Sequence, residues 1–140
     1  MTTVTILAEL SAEGSTVVLR EAAAEDVPAI VELLAADQLG ATRDGGARSE
    51  SELRPYLRAF SALDADPAHL LLVATDGTEV IATMQLSFLP GLARRGALRA
   101  QIEAVRVHEA YRGQGLGASM FAWAIRRGAA PWLWPGPADH

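Results

Sequence analysis

Arg112, Gly113, Gln114, Gly115, Leu116, Gly117 and Ala118 form the segment of the chain best suited to chemistry. A phosphate held by backbone needs glycines that let it come close, several N–H groups pointing one way, and the positive end of a helix dipole. Three alternate glycines behind a predicted strand and ahead of a predicted helix supply these, and the Arg112 guanidinium suits pyrophosphate oxygens. The segment therefore reads as a pyrophosphate cradle. A tight strand-to-helix connection would use the same glycines, so context has to choose the ligand. A Walker A loop is excluded because the chain has no Lys to reach terminal phosphates. A dinucleotide fingerprint would need a first strand-turn-helix with an acidic ribose partner about 20 residues on. Here the turn lies near the end of 140 residues.

Several elements must position that turn. Residues 1 to 14 read as a loose leader or a short added strand. Val17-Val18-Leu19-Arg20 predicts a strand, and Glu25-Asp26-Val27-Pro28 fits the start of a helix whose Val27, Ile30, Val31, Leu33 and Leu34 recur at helical spacing. Gly40 is a stop and Asp44-Gly45-Gly46 a loop. Ser49 or Ser51 caps a second helix with Leu53, Tyr56, Leu57 and Phe60 on one face, ended by Asp64-Ala65-Asp66-Pro67. Leu70 to Thr75 and Val80 to Phe88 predict an antiparallel hairpin around Asp76-Gly77, read as a type I′ turn. The strand before the glycine turn alternates Ile102, Ala104 and Arg106 against Glu103, Val105 and Val107. After the turn, Met120, Phe121, Trp123, Ala124 and Ile125 predict an apolar helix ending near Gly128. The fold class is α+β, order β-α-α-β-β-β-α, as a single domain over residues 1–140.

Ile102-Glu103-Ala104-Val105-Arg106-Val107 followed by His108-Glu109-Ala110-Tyr111-Arg112-Gly113-Gln114-Gly115-Leu116-Gly117 resembles the acetyl-CoA motif of the GNAT N-acetyltransferases, whose core is Gln/Arg-x-x-Gly-x-Gly/Ala. Arg112, Gly115 and Gly117 fill its fixed positions, and the order of elements is similar over most of the chain. The resemblance implies a mixed, mostly antiparallel sheet flanked by helices and acetyl-CoA as co-substrate. Val105, Arg106 and Val107 would then offer groups to the pantetheine arm, and residues 112 to 118 would hold the pyrophosphate. It implies transfer of an acetyl group to a primary amine by direct attack.

Such an attack needs a base, because only the neutral amine is a nucleophile. Glu103 is the candidate; pairing with Arg99 or Arg106 on a sheet surface would account for it equally well. Gln101, where some relatives carry the carboxylate, cannot act as base. His108 reads as an exposed turn residue. Arg94, Arg95 and Arg99 read as a solvated basic loop, and Tyr56, Phe60, Phe88 and Trp123 read as core.

The resemblance also implies a further strand, a helix carrying a Tyr general acid and a last strand. Pro131, Pro135 and Pro137 predict an irregular tail over residues 129–140 instead, with no strand or helix. Read one base out of register, GC-rich codons for Pro131 to His140 can encode a string similar to the missing strand, so a truncated or frameshifted C-terminus is the expectation. The cofactor strand would then be an exposed edge that invites a homodimer. The alternative function is a catalytically impaired acyl-CoA-binding or interaction domain. A nucleotide-binding regulatory domain is the third class, and it would require ATP or NAD to bind better than CoA.

Seventeen acidic against twelve basic residues, a formal charge of −5, predict neither a nucleic-acid nor an anionic-membrane partner. Without Cys there is no disulfide framework and no thiolate metal site, and no metal is implied. No signal peptide or membrane span is legible, and a cytoplasmic location is expected. The acceptor partner, a small-molecule or peptide amine, stays open between small amine, aminoglycoside-like drug, amino acid and protein N-terminus or lysine.

Overall fold

The computed structural model describes residues 6–12, 14–36, 49–96, 98–126 and 133–134. A strand β1 (Ile6–Ala12) turns at Gly14, whose φ of 75° is the left-handed value a tight turn requires, into β2 (Ser15–Glu21). Residues 6 to 12 are thus an added strand and not a loose leader. Leu10, Ala12, Val17 and Leu19 alternate inward and are buried, which fixes the register of this hairpin. Helices α1 (Val27–Ala36) and α2 (Glu50–Ala65) follow, then β3 (His69–Asp76) and β4 (Glu79–Leu89). A single helical turn α3 (Ala93–Gly96), β5 (Arg99–Val107), α4 (Leu116–Ala124) and β6 (Leu133–Trp134) complete the described chain.

The six strands lie in sequence order, β1-β2-β3-β4-β5-β6, antiparallel except for the last pair. On one face Leu72, Ala74, Ala82, Met84 and Leu86 pack with Leu116, Met120 and Trp123 of α4 in the main core. Helices α1 and α2 cover the opposite face. Burial of α1 through Val27, Ile30, Val31 and Leu33 agrees with its helical spacing, whereas α2 has no buried residue. Tyr56 is 45% exposed, so the expectation that it is core does not hold. Pro55 lies in the interior of α2, where it removes one backbone hydrogen bond. The start of α2 matches the sequence: Ser49 Oγ accepts from Glu52 N–H at 3.1 Å, and Glu52 Oε1 accepts from Ser49 N–H at 2.8 Å.

Three local expectations change. The β3–β4 turn uses Gly77 and Thr78, with Asp76 paired to Glu79, and only Gly77 among them has positive φ, the pattern of a type II′ turn. β5 does not alternate throughout, because Ala104 sits at φ 54° and inserts one extra residue: Gln85 faces Glu103 and Thr83 faces Arg106. Residues after the bulge therefore change sides. Finally, Leu133 and Trp134 pair with Ala100 and Gln101, so a strand exists where the prolines argued against one. Pro131 and Pro135 flank these two residues and leave their N–H groups intact. The other tail residues, with Gly40 and Asp44-Gly45-Gly46, lie outside the described residues.

At the base of α1, Arg20 Nη1 and Nη2 donate to Asp26 at 2.7 and 2.9 Å, and Ala23 N–H donates to the same carboxylate at 2.7 Å. Burial pushes the Asp26 carboxyl up, but the Arg20 hydrogen bond, the Ala23 N–H and the Arg20 charge outweigh it and hold it below the usual range. We expect Asp26→Asn to cost about 2–3 kcal/mol, because it leaves the half-buried Arg20 without its counter-charge. The depressed folded value means that this contribution is present above the unfolded value near pH 4 and is lost as pH falls through the folded one. Urea titrations from pH 7 down to pH 2 should show a shallower acid limb in the variant; identical limbs would remove this account.

Candidate functional site

The glycine turn is built by torsion, not by crowding. Gly113 and Gly115 have φ of 80° and 84°, and a Cβ placed on either would meet nothing within 4 Å. The space above them is open, as a backbone cradle for a ligand requires. Gly115 is the residue before α4, and the first bond of that helix runs from Ser119 N–H to the Gly115 carbonyl at 3.0 Å. The N–H groups of Leu116, Gly117 and Ala118 therefore have no intrahelical acceptor and form the positive end of the helix dipole. Gly117 differs from its neighbours: its φ is ordinary and an added Cβ would sit 3.9 Å from Val107, a normal contact.

Side chains hold the turn in place. Arg112 Nε donates to the Val107 carbonyl at 3.0 Å and Gln114 Nε2 to the Ala110 carbonyl at 3.3 Å. His108 Nδ1 accepts from Ala110 N–H at 3.0 Å, which puts the proton of the neutral ring on Nε2 and gives this half-buried residue a capping task. Tyr111 Oη donates to Asp76 at 2.6 Å and ties the turn to the end of β3. That hydrogen bond, with lesser help from the Asp76 charge, raises the Tyr111 phenol above its ordinary value, so the tie persists at neutral pH and weakens as pH rises beyond about 10. Neither partner was legible as functional; Asp76 read only as a turn residue. We expect Tyr111→Phe to lower the melting temperature by less than Asp26→Asn does, and to raise KM for the ligand of the turn.

His108 N–H reaches back to the Ile81 carbonyl of β4 at 2.7 Å. N–H directions alternate along a strand, so the N–H groups of Val107 and Val105 point away from β4. Among the described residues β6 pairs with Ala100 and Gln101. The carbonyls on this edge are engaged, that of Val105 by Arg106 Nη1 at 3.0 Å and that of Val107 by Arg112. Two N–H donors thus lie on the edge of β5 that faces away from β4. Their side chains pack on the core with Ile102, on the face opposite Glu103.

Glu103 is half-buried and pairs with Gln85, and Gln101 pairs with Ser87 on the same face, as expected. That face carries a polar row the sequence analysis passed over, Thr83, Gln85 and Ser87 at alternate positions of β4. Its signal was the alternation with Met84 and Leu86. Between α1, the β3–β4 turn and the end of β5 lies a cleft of about 710 Å³ that reaches His108 and Arg112. Glu25, Asp26, Glu32, Glu79 and Glu109 line its other walls, so an anion is favoured only on the side of Arg112 and α4. Arg95 and Arg99 are exposed, and Trp123 is core at 7% exposure.

Residues 28–135 match the model of the acetyltransferase (GNAT) family. The chain belongs to that family. No curated protein matches this GNAT chain in sequence. Among solved structures it is similar to a transcriptional regulator from Bacillus halodurans C-125, with 38% identity, 87% of this chain and 83% of that one covered, and a TM-score of 0.72. It shares its fold with glucosamine-6-phosphate N-acetyltransferase from Arabidopsis thaliana at 20% identity, covering 86% and 81%, TM-score 0.63. The same holds for a predicted acetyltransferase from Clostridium acetobutylicum solved with acetyl-CoA, at 18% identity, covering 79% and 72%, TM-score 0.58. The GNAT fold class drawn from the sequence therefore stands, with β1 and β6 added. Among the described residues no helix is long and apolar enough to cross a membrane.

Proposed function

We propose that this GNAT domain transfers an acetyl group from acetyl-CoA to a primary amine by direct attack. The observation that carries the reading is the adjacency of two donor sets: the open helix start at residues 116 to 118, and the N–H groups of Val105 and Val107 on the edge of β5 away from β4. Acetyl-CoA, as co-substrate, supplies the thioester. Gly113 and Gly115 give its pyrophosphate room, and the backbone of residues 113 to 118 with Arg112 binds it. Val107 N–H holds the pantetheine arm, Val105 N–H polarises the thioester carbonyl, and Arg106 supports the Val105 peptide through its bond to the carbonyl. Glu103 takes the ammonium proton from the acceptor on the opposite face of β5. The chemistry needs no metal in this scheme, and a charge of −5 supports a small-molecule or peptide partner over nucleic acid or an anionic membrane. A cytoplasmic location is part of this proposal.

The test is release of free CoA from acetyl-CoA, followed with a thiol reagent on a panel of primary amines. Amine-dependent release that disappears in Arg112→Glu is the expected result. Acetyl-CoA binding without release by any amine would favour the reading as a catalytically impaired acyl-CoA-binding domain.

A further inference from the structure

The polar row of β4 ends in a cavity that the scheme above leaves unassigned. Between α1, α2 and the bulge of β5 lies a space of about 130 Å³. Ile30 and Val31 wall it on one side, Tyr56 and Phe60 on the other, and Gln85 and Ala104 form the floor. No charged residue lines it among those described. Helix α2 roofs this space without filling it, since none of its residues is buried.

A chain of contacts runs behind the floor. Asp66 Oδ2 lies 3.6 Å from His69 Nε2, and His69 Nδ1 shares a 2.9 Å hydrogen bond with Ser87 Oγ. Ser87 Oγ in turn accepts from Gln85 Nε2 at 3.2 Å. One of the two Gln85 Nε2 hydrogens is given to Ser87, which leaves the second N–H and the acceptor Oε1 to meet a ligand. Ala104 both lines the cavity and precedes Val105, whose N–H points away from β4. The cavity and the carbonyl-polarising donor are one residue apart.

We propose that this cavity is the acceptor subsite, and that the acceptor is a primary amine carrying one compact apolar group. Gln85 Oε1 receives an N–H of the amine while the apolar group fills the space under α2. A closed apolar cavity of about 150 Å³ takes a benzene-sized group, so this half-open space of about 130 Å³ suits a branched aliphatic or phenyl substituent by volume. A phosphorylated amino sugar finds no cation for its phosphate among the residues that line it. The assignment rests on the acetyl-transfer reading.

Steady-state acetylation of 2-phenylethylamine, 3-methylbutylamine and glucosamine 6-phosphate tests it, in the parent and in Ala59→Trp and Gln85→Leu. Ala59 lines the cavity from an exposed position of α2, so a Trp there reaches in without disturbing the core. The apolar amines should exceed the sugar phosphate in kcat/KM by about 100-fold, and each variant should lower kcat/KM for them by at least about 10-fold. The rise in melting temperature with acetyl-CoA should be unchanged in both variants, which shows that they are folded. Preference for the sugar phosphate, or apolar-amine kinetics indifferent to both substitutions, overturns the assignment while leaving acetyl transfer intact. A parent that acetylates no amine and gains no stability from acetyl-CoA overturns the transferase reading itself.

Discussion

Valine at position 115 should abolish the rise in melting temperature that acetyl-CoA produces in the parent. A ligand that binds only the folded chain at about 100 times its Kd adds about 2.7 kcal/mol, which for a domain of this size is roughly 10 °C. Gly115 contributes through conformation: φ is 84°, and the residue sits where the chain enters α4, so that three N–H groups point at one spot. A β-branched residue at that φ costs about 1–2 kcal/mol, and it relaxes by turning the peptide and breaking up the donor set. The variant melts a few degrees lower and gains nothing from acetyl-CoA at the concentration that saturates the parent. Gly117→Ala is the internal control. Its φ is ordinary and the new methyl would rest 3.9 Å from Val107, so it keeps both the fold and the ligand-induced rise. Loss of the rise in both variants, or in neither, would contradict a cradle formed by torsion at Gly115.

That contrast shows how far the sequence could be read. The three glycines and Arg112 located the turn, because close backbone approach and a helix start both leave compositional marks. They could not say which glycines are conformational, since φ is a property of the folded turn: Gly113 and Gly115 need positive values and Gly117 does not. The capping box at Ser49 and Glu52 and the apolar stripe of α1 were legible because each is a local pattern with one physical cause. The bulge at Ala104 was not, as an Ala in the left-handed region carries no residue-type signal. Missing it put Glu103 on the same side as Val105 and Val107, when the register sets it opposite, beside Gln85 and Thr83. The short strand at Leu133 and Trp134 was hidden by its prolines, which bound the pairing without preventing it.

The corrected register matters most for Glu103. With the bulge, the N–H of Val105 points away from β4 while the Glu103 side chain stands on the face that α1 and α2 cover, among Gln85, Gln101 and Ser87. An acceptor lying across Ala104 would meet both. Substituting Glu103→Gln keeps the shape and removes the basic oxygen, so kcat/KM for a fully protonated alkylamine should fall by about 10²–10⁴-fold, while the melting-temperature rise with acetyl-CoA stays as in the parent. A weakly basic aromatic amine, already neutral at the assay pH, needs no proton removed before attack and should lose far less. Raising the pH should narrow the gap between variant and parent for the alkylamine, because more of it arrives as the free base. Equal losses for both amines at every pH would reduce Glu103 to a structural partner of Gln85. No loss for either would hand the proton to solvent, with the Val105 donor and the positioning of the two substrates carrying the rate.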